Sequence, residues 1–150
     1  MAFEDFVFSH SLRVRWSEVD MQAIVFNGNY LTYFDVAFTE YWRATGLPNA
    51  VAQAAEGKEL FARKSSVEYF SPARFDDVLD IGVRCSRIGQ SSIQFVLEIF
   101  RDGQHLISGE LVYVYAGKGA DGVTPKGVPV PLDWREIIGD LEKIKPLGIN

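Results

Sequence analysis

A single cysteine, Cys85, stands among 150 residues, so no disulfide can form within the chain and a zinc site built from several thiolates is excluded. That scarcity suits a reducing compartment, and the expected location is the cytoplasm. Histidine is almost as rare. His10 and His105 are the two in the chain, which leaves little for metal clusters or Ser-His-Asp catalysis. Gly-x-Ser-x-Gly, the P-loop and Gly-x-Gly-x-x-Gly are all missing. No apolar run approaches the ~20 residues of a membrane helix, and the opening MAFEDFVFSH carries acids where an export signal carries cations. Positive charge is also short, with 15 Lys and Arg against 20 Asp and Glu and a net charge of −5, so there is no global field to hold nucleic acid phosphates. The expectation is a soluble, unexported protein with no membrane or nucleic acid partner and no metal or cofactor.

What is present is apolar bulk: 47% of the residues are hydrophobic and 23% charged. A chain of this size can bury roughly 68–70% of its unfolded surface, and no linker, repeat or low-complexity tract divides it, so residues 1–150 are expected to form one domain. Late in Phe6–Trp16, Leu12, Val14 and Trp16 alternate with Arg13, Arg15 and Ser17, which predicts a half-buried strand. Asn27, Gly28 and Asn29 offer turn and cap geometry for a helix over 29–45. Tyr30, Phe34, Ala37, Phe38 and Tyr41 form its apolar face, and Leu31, Tyr33 and Trp42 widen it. Gly46 and Pro48 end that helix. A short helix follows over 49–56, stopped at Gly57, and then a strand over 60–70.

The period then changes to two. Leu79, Ile81, Val83 and Cys85 form one alternating run and Ile93, Phe95, Leu97 and Ile99 another, with Gly89 and Gln90 between them. Asp102-Gly103 marks a hairpin into a strand over 106–115. Residues 117–130 read as a loop or irregular edge, and Pro131 opens a last helix through Leu141. The sum is an α+β layer, a curved antiparallel sheet around one long buried helix. Its unpaired edge and residual apolar surface predict a homodimer at least.

Chemistry concentrates where the first strand gives way to the long helix. Asp20 lies seven positions before Asn27. A carboxylate can attack a carbonyl carbon or deprotonate water, and unpaired N–H groups at a helix start can stabilise the oxyanion. Such a pair needs no histidine or metal, although Asp20 could equally cap a loop that Glu18 solvates. Asp35 and Glu40, on the helix, are rival acids. His10 and His105 read as surface or strand residues.

Glu18-Val19-Asp20, Ile24-Val25-Phe26 and Asn29-Tyr30, in order and without a gap, resemble the hot-dog-fold acyl-CoA thioesterases of the 4-hydroxybenzoyl-CoA thioesterase branch. Tyr69 to Leu79 and Val128 to Trp134 are similar to later segments of that family. The resemblance implies the hot-dog fold and hydrolysis of an acyl-CoA. It implies Asp20 as nucleophile or base, and the backbone N–H at Asn27 as donor to the thioester oxygen. It also suggests a tetramer. Met21, Gln22 and Ala23 replace the family's commoner small residues. Gly89-Gln90-Ser91 stand where the 4-hydroxybenzoyl enzyme has a basic cluster for the CoA phosphates, so the candidate phosphate ligands are Arg87, Arg63 and Lys64 with the Ser91 and Ser92 hydroxyls. The alternative from another class is a non-catalytic module that binds acyl-CoA or acyl-carrier protein.

Overall fold

Seventeen consecutive residues with a wide apolar face make the central element, the helix α1, Asn29–Thr45, in a computed structural model that describes residues 1–149. Its end is set by Gly46, at φ 74°, a left-handed conformation that a Cβ would disfavour. The shorter α2, Ala50–Ala55, begins where the Asn49 side chain accepts the N–H of Ala52. Among the described residues there are six strands: β1 (Phe8–Arg13), β2 (Glu59–Tyr69), β3 (Val78–Ile88), β4 (Ser92–Arg101), β5 (Gln104–Lys118) and the short β6 (Pro125–Gly127). The helix α3 spans Leu132–Leu141. The strands lie in the order β1-β3-β4-β5-β2, antiparallel throughout, and β6 pairs with the end of β5. The α+β class expected from the sequence is the one observed.

The inner face of the sheet carries Leu79, Ile81, Val83, Cys85, Ile93, Phe95, Leu97 and Ile99, all fully buried. Phe38 of α1 lies edge-on to Phe95 with centroids 4.9 Å apart and stacks on Tyr113 at 4.6 Å, while Tyr41 meets Phe8 and Phe95. Aromatic pairs of this kind add to the ~1.5–3 kcal/mol that each large apolar side chain contributes by burial. Trp134 joins α3 to the core through Trp42 and Tyr115.

Four details differ from the pattern expected. Trp16 leaves the buried face because the chain exits β1 at Arg13 and turns through a 3-10 segment, so its ring packs on Phe75 at the surface, 68% exposed. Leu31 faces outward, 41% exposed. Residues 117–130 are not wholly irregular, since β6 lies within them. Glu98 and Phe100 point away from α1 yet are buried, because Phe3 and Phe6 cover Phe100 and the Phe6 ring lies against Gly82. The N-terminal segment is thus a cover for part of the outer sheet face. Among the described residues no helix is long and apolar enough to cross a membrane.

One buried carboxyl ties distant parts of the chain together. Glu142, 2% exposed, accepts the Tyr41 hydroxyl at 2.8 Å and the Cys85 N–H at 2.6 Å through the same oxygen, Oε2. Burial pushes this carboxyl above the ordinary value near 4.5, outweighing the two hydrogen bonds and the nearby Arg84 and Lys145 charges, which favour ionisation. A carboxyl whose folded-state pKa is raised contributes stability that is complete below its unfolded value and is lost as pH rises through the folded one. Glu142→Gln keeps an oxygen for both donors and cannot ionise. The melting temperature of the parent should therefore fall between pH 5 and 8 relative to that of Glu142→Gln, as thermal melts at the two pH values would read; parallel pH profiles would show that Glu142 does not titrate in the folded chain.

Candidate active site

The segment leaving β1 is built as a narrow hairpin. Val19 bridges Val25, and the Phe26 N–H donates to the Glu18 carbonyl at 3.0 Å. At its tip the Asp20 N–H donates to the Ile24 carbonyl and the Ala23 N–H returns to the Asp20 carbonyl. Ala23 completes the turn at φ 60°, a left-handed position more usual for glycine. The hairpin is pinned to the turn before β3, because Val25 N–H donates to the Ala73 carbonyl and Phe75 N–H to the Ala23 carbonyl, each at 2.9 Å.

Asp20 sits exposed at this tip. Its Oδ1 accepts the Gln22 N–H at 2.8 Å, and among the described residues no donor reaches Oδ2. One oxygen is therefore fixed and the other is free for substrate or water. The chain re-enters regular structure at Asn27 and Gly28. Gly28 is the N-cap of α1 without a side-chain cap, and among the described residues the N–H groups of Asn27 and Gly28 have no partner. Unpaired donors at the positive end of a 17-residue helix suit a developing oxyanion. Beside them lies a cavity of about 300 Å³ walled by Ile24, Asn27, Tyr30, Tyr69, Phe70 and Ile107.

Asn29 does not cap the helix. Its amide donates instead to the Glu18 carbonyl at 2.8 Å. The Glu18 carboxylate is saturated: Oε1 accepts the Arg15 N–H at 2.8 Å and the Tyr33 hydroxyl at 3.0 Å, and Oε2 accepts Arg15 Nε and Nη2 at 3.0 and 2.8 Å. Burial would push this carboxyl up, but the hydrogen bonds from Arg15 and Tyr33 outweigh it and hold it below the usual range. Burial, and then the bond to Glu18, push the Tyr33 phenol far up, so it remains a donor. In the sequence Glu18 reads as a solvating charge; the signal against that is a phenol, Tyr33, on the apolar face of a helix, which needs a polar partner once buried.

The expected phosphate ligands do not form one cluster. Arg87 is exposed at the end of β3 and lines a cavity of about 1030 Å³ between the β3–β4 turn, α3 and the C-terminal segment. Two other cations line it. Arg135 donates to the carbonyls of Gly89, Gln90 and Gly148, and Lys145 to those of Gly139 and Glu142. Of the three, Arg87 alone makes no side-chain hydrogen bond among the described residues. Ser91 and Ser92 are half-buried at the neighbouring turn. Arg63 and Lys64 lie elsewhere, on β2, with Arg63 at a bulge and Lys64 paired to Glu110 at 3.5 Å. Lys64 stands opposite Val112, Val112 opposite Gln94 and Gln94 opposite Arg87. Three strand spacings, roughly 14 Å, therefore separate Lys64 from Arg87.

The rival helix acids are also apart from Asp20's hairpin. Glu40 is ion-paired with Arg43, whose hydrogen bond lowers its pKa. Asp35 borders a cavity of about 430 Å³ between α1, α2 and β2, together with Phe38, Trp42, Leu60 and Tyr113. Burial and the Asp35 charge push the Tyr113 phenol up to about 12.

Residues 22–108, more than half of the chain, match the family model of the thioesterase superfamily. The chain belongs to that superfamily. The match begins just after Asp20 and includes the whole of α1. The acyl-CoA thioester hydrolase YbgC of Escherichia coli O6:H1 is 30% identical over 93 residues, covering 62% of this chain and 69% of that protein. Among solved structures, a thioesterase from Thermus thermophilus, crystallised with coenzyme A and zinc, superposes with a TM-score of 0.79 at 24% identity, covering 95% of this chain and 98% of that one. Slr0204, a 1,4-dihydroxy-2-naphthoyl-CoA thioesterase from Synechocystis, gives 0.79 at 20% identity over 89% and 96%. These two establish the hot-dog fold. This thioesterase is thus an enzyme of thioester hydrolysis, as its sequence motifs implied.

Proposed function

We propose that this thioesterase hydrolyses an acyl-CoA to the free acid and CoA, with Asp20 as its catalytic carboxylate, and that residues 1–150 act as one catalytic domain. The observation that carries the reading is the free Oδ2 of Asp20 on the same hairpin-to-helix unit as the unpaired N–H groups of Asn27 and Gly28. The thioester carbonyl accepts from those N–H groups, which stabilise the negative charge that develops on oxygen. Asp20 then acts in one of two ways. As nucleophile it forms an acyl anhydride, expels CoA thiolate and yields to water; as base it takes a proton from the water that attacks. Asp20→Asn is nearly isosteric and is neither nucleophilic nor basic. It should lower kcat at least ~10²-fold with the fold intact, as measured by thiol release from an acyl-CoA panel with DTNB. Near-parental turnover would remove Asp20 from the chemistry, and binding without thiol release by the parent would make the protein a carrier module.

For the nucleotide end we assign Arg87, which lines the large cavity with a guanidinium not already used by backbone carbonyls. Charge-assisted bonds to phosphate are roughly twice as strong as neutral ones. Arg87→Ala should raise KM for CoA thioesters several-fold with little change in kcat, and should leave an acyl-N-acetylcysteamine, which has no phosphate, unaffected. Equal damage on both substrates would assign Arg87 to the fold instead.

We also infer a homodimer as the minimum unit, with a tetramer the larger expectation, and the cytoplasm as location. β2 runs for 11 residues with β5 on one side and, among the described residues, no strand on the other, and Phe26, Tyr69, Phe70 and Phe75 are exposed near the hairpin that carries Asp20. A long open edge beside an apolar patch favours pairing with a second copy. Sedimentation equilibrium at micromolar concentration should give a dimer or larger; a monomer throughout would refute the assignment.

A further inference from the structure

We propose that Glu18 and Tyr33 are positioning residues, a brace that fixes the Asp20 hairpin against the start of α1. The proposal rests on the reading of Asp20 as the catalytic carboxylate. Chemistry between Asp20 and a carbonyl held by the Asn27 and Gly28 N–H groups depends on the distance between a surface hairpin and a helix end. The hairpin is hydrogen-bonded on one side to the turn before β3, through Ala23 and Val25, and needs a tie on its helix side to set that distance.

Residue 18 does so from both its ends. Its carbonyl holds Phe26 N–H and the Asn29 amide, which are the far strand of the hairpin and the first helical residue. Its carboxylate holds the Tyr33 hydroxyl, one turn further into α1, and Arg15 at the exit from β1. Tyr33 is 2% exposed, so the ring cannot swing away, and among the described residues its hydroxyl has one partner, Glu18. A second leg stands on the other side of the hairpin. Tyr30, edge-on to Tyr33 at 6.0 Å, accepts the Ala73 N–H at 3.1 Å, and the Ala73 carbonyl accepts Val25 N–H.

Two features separate this arrangement from a surface ion pair. An exposed Arg–Glu pair contributes little, but the Glu18 side chain is 14% exposed against 76% for Arg15, so the buried partner, Tyr33, is the one that needs it. Both Glu18 oxygens are also filled by donors, which leaves Glu18 no lone pair aimed at substrate and excludes it as a second base. Asp20, two residues on, has the free oxygen. The Glu-x-Asp spacing therefore divides labour: the first acid holds and the second reacts.

The test places Tyr33→Phe, Glu18→Ala and Glu18→Gln in the parent and in Asp20→Asn, with thiol release from an acyl-CoA as the readout. Tyr33→Phe removes the hydroxyl and keeps the ring, so it remains informative if Glu18→Ala does not fold. Misplacement of a reacting group costs kcat before binding, so Tyr33→Phe and Glu18→Ala should each lower kcat about tenfold with KM unchanged. Glu18→Gln, which can still accept from Tyr33, should retain most of the parental kcat. In the Asp20→Asn background the same changes should cost nothing further, because no reacting carboxylate is left to place. Full kcat in Tyr33→Phe and Glu18→Ala, with Asp20→Asn disabled, would overturn the brace alone. Equal fractional losses in both backgrounds would reduce it to general support of the fold. Parental turnover in Asp20→Asn would overturn the catalytic reading beneath it.

Discussion

The close approach of α1 to the sheet at Gly109 is the constraint on which the rest of the molecule depends. A Cβ at that position would lie 2.1 Å from the Phe34 ring, which is fully buried and has nowhere to move. With hydrogen in its place the helix settles onto the inner face at the middle of β5. Phe38 can then reach Phe95 and Tyr113, and Tyr41 can reach Phe8 and Glu142. A core packed to this density transmits position: a helix lifted by one methyl group would carry its first turn with it. The unpaired N–H groups before α1 owe their location to a glycine more than 80 residues away in sequence.

Around that fixed helix the charged groups fall into two kinds. Some are consumed by structure. Arg135 and Lys145 are spent on backbone carbonyls, Arg101 on Asp77 at 2.7 Å, and Glu18 on Arg15 and Tyr33. Others are left with capacity, Asp20 Oδ2 and the Arg87 guanidinium among them. In a chain with few cations, the satisfied groups define a scaffold and the unsatisfied ones mark where a ligand would find a partner.

Much of this was legible in the sequence, for local reasons. The span of α1 was readable to the residue because its apolar face is wide and Gly46 must take a left-handed φ. The β4–β5 hairpin was readable because Asp102 and Gly103 both adopt positive φ, as that dipeptide favours. Asp20 and Asn27 are expected together from motif order, and the chain carries both on one hairpin-to-helix unit. What escaped depends on contacts between distant segments. Trp16 turns outward because the chain leaves β1 at Arg13, and it packs on Phe75 from a distant segment; Phe100 is buried by an N-terminal segment that no periodicity links to it, and β6 is too short to show a period. Glu18 looked like a solvated charge because its partner Tyr33 lies 15 residues on, on a helix face that reads as purely apolar. The separation of Lys64 from Arg87 is likewise a property of strand order, which residue composition does not encode.

The buried carboxyl of Glu142 also bears on the order in which the molecule can be assembled. Its two donors come from residues 101 and 57 positions earlier in the chain, and both meet it only once α1, which carries Tyr41, lies on the sheet that carries Cys85. A contact spanning so much chain carries a large loop-closure cost and gives nothing back before its partners are in place. The segment around Glu142 therefore closes a core that earlier residues have already built.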